Sequence, residues 1–195
     1  VWVYDPTGTE TVTKVSGSTY YERAIAFYGE GANRIAFGSH NSTRYVQRFN
    51  IGTNSSWVSG SPSAYFYQAG VLDNGDGDIL VTNNAVIVSQ NRYTGNNQAT
   101  NPVFAVFDHN LNLILKSNVI NSTLTGSSNG GMAITPDYKT FAIINGRTET
   151  APASGVFLDE DLKVYVYSVS WNGSTPTFTH QYNFGFTKAS EDSTS

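Results

Sequence analysis

One arrangement recurs along this 195-residue chain and limits what it can fold into: a short apolar run, a turn, and a second apolar run. It is clearest in "GGMAITPDYKTFAIING" (130–146), where "GMAI" and "TFAII" flank "TPDYK". Pro fixes φ and Asp can bond its own backbone, so "TPDYK" reads as the bend of a β-hairpin. "AIAFYGEGANRIAFGS" (24–39) and "AGVLDNGDGDILVTN" (69–83) have the same form, the latter with "DNGDGD" as its turn. Aligning on the residue at the middle of the first strand places Ala26, Val71 and Ala133 together. "RIAF", "DILV" and "TFAI" then follow as second strands, eight or nine residues later.

Each hairpin is followed by a second unit: a strand rich in aromatics and Val, a turn, and another strand. These are "TRYVQRFNIGTNSSWVSG", "PVFAVFDHNLNLILKSNV" and "KVYVYSVSWNGSTPTFTHQYNF". The opening "VWVYDPTGTETVTKV" matches the second unit without a hairpin before it. The chain therefore divides into outer strands of one unit (1–16), three full units (23–60, 67–120 and 130–186) and a polar tail (187–195). In the first full unit, strands are expected near 24–29, 33–38, 44–50 and 55–59 in one antiparallel meander, with equivalents from about 68 and 131.

Repeated four-stranded meanders of this length are the signature of β-propeller blades. "AITPDYKTFAII" resembles the turn hairpin of YVTN-type and related WD-type propeller repeats, and "VWVYDPTGTETVTKV" resembles their outer strands. The family's turn Gly is Tyr138 here. The resemblance implies an all-β propeller of four-stranded blades and carries no catalytic residues. A β-sandwich also offers many short strands at regular spacing and is the alternative fold. About three and a half blades do not close a ring, so completion by further polypeptide or by self-association is expected.

Composition points the same way. Charged residues are 13% of the chain, against a usual share of roughly 25%. Ser, Thr, Asn and Gly fill that gap, as they do in many extracellular and cell-surface β proteins. Net charge is −4 with no basic cluster, which argues against a nucleic-acid footprint. No apolar run approaches the ~20 residues of a spanning helix. With no Cys, disulfides, thiolate metal sites and a Cys nucleophile are excluded. There is no Gly-Xaa-Ser-Xaa-Gly elbow, P-loop or dinucleotide fingerprint.

Function would sit in the connections. "NNAVIVSQNRYTGNNQATN" (83–101) and "NGRTETAPASGVFLDED" (145–161) read as long insertions joining second to third strands, where the first unit has only "GSHNST" (38–43). Long loops in compact domains are usually functional. The loops entering the units from the same side carry Tyr20, Tyr21, Tyr65, Phe66 and Tyr67, and Arg92, Tyr93 and Arg147 stand beside them. Aromatic and Arg side chains anchor binding surfaces, so this face is the candidate site for a protein or glycan ligand. "LDNGDGDIL" resembles the core of dockerin and integrin-type calcium loops, but Leu72 stands where that pattern needs an acid. Tight turns prefer the same Asn-Gly and Asp-Gly pairs, so no metal or cofactor is assigned.

His40, His109 and His180 lie in different units, and no carboxylate pair assembles into a glycosidase-like site. The expected function is a non-catalytic module for binding, adhesion or filament assembly; the alternative is part of a carbohydrate-active hydrolase or lyase. Asn41, Asn54, Asn121 and Asn172 head glycosylation sequons in predicted loops or turns, about as many sequons as composition alone produces.

Overall fold

The computed structural model describes residues 2–4, 12–14, 22–30, 33–40, 46–50, 64–66, 78–89, 104–117, 127–146 and 162–186. All regular elements among them are strands, every pairing is antiparallel, and three sheets have four strands each. Strands β1 (Trp2–Tyr4) and β2 (Val12–Lys14) form a separate two-stranded ribbon.

The first four-stranded sheet runs in chain order through β3 (Glu22–Tyr28), β4 (Ile35–His40), β5 (Val46–Asn50) and β6 (Ala64–Phe66). Ala26 pairs with Phe37 and Phe27 with Ala36, so both arms of the expected hairpin lie in one sheet. Gly29 closes the turn at φ 77°; a Cβ there would stand 2.7 Å from the Asn33 carbonyl oxygen. The fourth strand is Ala64–Phe66 rather than the expected 55–59, a stretch outside the described residues.

The second sheet corrects the expected register. Its strands are β7 (Ile79–Val81), β8 (Val86–Ser89), β9 (Phe104–Phe107) and β10 (Leu113–Lys116). Among the described residues "ILV" is thus the first strand of this sheet, not the second, and "VIVS" is a strand rather than part of a long loop; the expected first arm, 69–72, lies outside the described residues. The physical reason is local. Thr82 folds "TNNA" into a tight turn: its Oγ1 accepts from the amides of Asn84 (3.1 Å) and Ala85 (3.0 Å). Val86, Ile87 and Val88, β-branched and like Ser89 fully buried, then return along Ile79–Val81.

The third sheet contains β11 (Ser127–Ile134), β12 (Thr140–Gly146), β13 (Leu162–Asn172) and β14 (Thr175–Phe186). "TPDYK" is its first turn, as expected: Thr135 and Thr140 bond across it, and Asp137 accepts from the Thr135 hydroxyl at 2.6 Å and the Lys139 amide at 3.1 Å. Gly173, at φ 59°, opens the two-residue turn between β13 and β14.

The three sheets stack face to face. Val86, Val88, Ala105 and Phe107 of the second sheet pack with Phe37 and Val46 of the first. Ile87, Phe104 and Val106, the residues alternating with them, pack with Phe141, Ile143, Tyr167 and Phe178 of the third. Successive side chains of a strand point to opposite faces, so the middle sheet feeds two cores. β7 touches both β3 and β11, which brings the first strands of the three sheets together.

Candidate functional site

The expected binding residues fall unevenly on this framework. Tyr65 and Phe66 are not in a connecting loop: they belong to β6, where Tyr65 pairs with Gln47 and Phe66 with Val46. Hydrogen bonding to β5 takes up this segment as the edge of the first sheet. Tyr20, Tyr21, Tyr67, Arg92, Tyr93 and Arg147 lie outside the described residues, as do Asn41, Asn54 and Asn121. Asn172 is described and exposed, at the last pair of the β13–β14 hairpin beside Gly173, whose Cβ position is open space.

Two polar junctions tie the sheets together, built on a His that the sequence offers as one of three scattered through the units and on the last Asp of the turn-like "DNGDGD". His109, in the β9–β10 turn, lies within 3.0 Å of the Thr82 carbonyl oxygen through Nε2. A carbonyl only accepts, so that nitrogen carries the proton. The His109 ring packs on Tyr28 at a centroid distance of 4.0 Å and lies 6.1 Å from Phe37, joining first and second sheets. Asp78 joins second and third: Oδ1 accepts from the Ile79 amide at 2.9 Å, and Oδ2 from the Met132 amide at 3.3 Å. The last acid of "DNGDGD" thus serves as an inter-sheet tie.

Asp108 organises the turn beside His109. Its carboxylate accepts from the amides of Asn110 and Asn112 and from the Asn112 side chain, at 2.8–2.9 Å. Burial alone would raise its pKa; those hydrogen bonds, with the neighbouring His109, outweigh it and hold the carboxyl below its ordinary value. Asp137 is held low chiefly by the Thr135 hydroxyl and the Lys139 amide.

The face of the third sheet turned away from the second is the best-defined surface. Ala142, Ile144, Val164, Val166 and Tyr182 share it by register. Phe184, paired with Val164, stacks with Tyr182 at 6.5 Å. Toward the β13–β14 turn the face becomes polar, with Thr140, Ser168, Ser170, Thr177 and Thr179 exposed. Gln181 donates to the Ser168 hydroxyl at 2.9 Å. No residue between Val164 and Phe186 is Asp, Glu, Lys or Arg. Such a surface offers stacking area and neutral hydrogen bonds, with no acid–base pair for proton transfer. Among the described residues no group of three His, Asp or Glu could hold a metal ion. Among them no helix is long and apolar enough to cross a membrane, which says nothing of a strand-spanning barrel.

Searches of family models, curated proteins and solved structures found no match to this chain.

Proposed function

We propose that the chain is a non-catalytic β-propeller module of an extracellular or cell-surface protein, acting through binding, adhesion or assembly. The observation that carries this reading is the stack: a four-stranded meander covered on both faces by two further meanders, first strand beside first strand. A two-layer sandwich has one core between its sheets; successive propeller blades each contribute to two. The low charge of the chain and the neutral, aromatic-bearing face of the third sheet support recognition of an uncharged partner, a glycan or a protein. The YVTN-type resemblance of "AITPDYKTFAII" belongs to the same proposal.

The test is to immobilise the chain and probe it with arrays of neutral and acidic oligosaccharides and of peptides. A second preparation replaces residues 90–103 and 147–161, which join β8 to β9 and β12 to β13, with Gly-Ser linkers of equal length. Saturable binding at unchanged unfolding temperature is the expected result, and its loss on replacement assigns the site to those connections. Binding that survives replacement moves the site off those connections, and steady sugar release from aryl glycosides replaces the binding reading with a hydrolase.

A further inference from the structure

Every sheet edge exposes backbone donors and acceptors that can recruit another strand, and proteins blunt such edges with short strands, charges, Pro or bulges. Most edges here follow that practice; β11, eight uncharged residues at the other margin of the third sheet, is broken by a bulge between Ser128 and Met132 and lies against β7 and β8. β1, β2 and β6 have three residues each, and β2 ends on Lys14. β10 has four and ends on Lys116, while β3 begins with Glu22 and Arg23.

β14 differs. It is the longest strand, twelve residues, and its only charge-bearing candidate is His180. It forms one margin of the third sheet, and over Thr177–Asn183 its only strand neighbour among the described residues is β13. Thr177, Thr179, His180, Gln181, Tyr182 and Asn183 are all exposed, Tyr182 to 57%. Pro176 guards only the start, opposite Trp171, and one bulge interrupts the ladder near Gln181.

We propose that the β14 edge is a self-association surface, pairing antiparallel with β14 of a second copy about a two-fold axis that passes at Thr179, so that Thr179 faces its own copy and Thr177 faces Gln181. The occupant is a second copy because self-pairing places each residue opposite a residue of the same strand. A charged edge would meet its own charges there; Thr175–Asn183 meets only hydroxyl, amide, Pro and aromatic groups, plus His180. The two third sheets then form one continuous eight-stranded sheet, with the Tyr182 side chains of both copies on one face. The inference rests on sheet topology and strand composition and holds whether or not the module binds a ligand.

Sedimentation velocity of the full chain across a concentration series tests it, with twice the 21.2 kDa chain mass expected at the upper end. Thr177→Lys with Thr179→Lys brings like charges together across the joint and weakens association about tenfold or more. Thr140→Lys, exposed on the same face but two strands in from the edge, leaves it unchanged. Because the chain has no Cys, Thr179→Cys supplies a second readout that requires no loss of folding. Mild oxidation should give a disulfide-linked dimer with Thr179→Cys and none with Thr140→Cys. A monomer at every concentration, or a dimer indifferent to the Lys pair and uncrosslinked through Thr179→Cys, overturns the proposal.

Discussion

Tyr138 carries a φ of 57° in the turn between β11 and β12, a conformation that costs an L-residue with a Cβ roughly 1–2 kcal/mol. Its carbonyl accepts from Trp171 Nε1 at 2.9 Å, a bond any residue at 138 would keep. Tyr138→Gly should therefore raise stability by up to about 1 kcal/mol, the relieved strain less the extra freedom Gly has when unfolded. Leu111 has the same hand, φ 65°, but is buried in the core between first and second sheets. There the burial wins, and Leu111→Gly should cost about 2 kcal/mol or more. Urea denaturation of the two variants checks the opposite signs. For Tyr138 the sequence offers one hint, that it stands where the turn it resembles has Gly. For Leu111 it offers none, because nothing in "FDHNLN" distinguishes a left-handed Leu from an ordinary turn residue.

At the scale of elements, period and turn chemistry decided what could be read. "TPDYK" was readable because Thr135 and Asp137 fold it locally. "TNNA" is not: Thr82 makes a turn as tight as any Gly pair would, so Val86–Ser89 reads as loop in the sequence and is a strand in the structure. β14 misleads differently. Phe178, His180, Tyr182 and Phe184 alternate without a break, which reads as one face. The bulge between Val166 and Tyr167 sends His180 toward buried Tyr167 and Tyr182 to the opposite face with Val166. Most residues of the expected ligand face lie outside the described elements, whereas Tyr65 and Phe66 were misplaced because a three-residue edge strand has too few positions to show a period. The β9–β10 turn carries a prediction of its own. A carboxyl held low in the folded state stabilises above its unfolded pKa, near 3.8, and that support is lost as pH falls through the folded value. Asp108→Asn should flatten the drop in melting temperature between about pH 5 and pH 2 while lowering the plateau at neutral pH.

For the molecule as a whole, the middle sheet sets the cooperativity. Ile87 and Val88 are chain neighbours, both fully buried, yet Ile87 packs with the third sheet and Val88 with the first. Adjacent residues ordinarily couple when they share a cavity or a partner; these two share a backbone and no core. Ile87→Ala should remove about 2–4 kcal/mol and Val88→Ala about 1–3 kcal/mol, each through the cavity it leaves in its own core. The double variant should then lose the sum within about 0.5 kcal/mol. Hydrogen exchange gives the spatial check: Ile87→Ala should speed amides of β12 and β13 more than those of β4, and Val88→Ala the reverse. In a two-layer sandwich one of the two side chains would face solvent, and its truncation would cost almost nothing. Two large, additive losses with opposite exchange patterns are what a sheet covered on both faces requires.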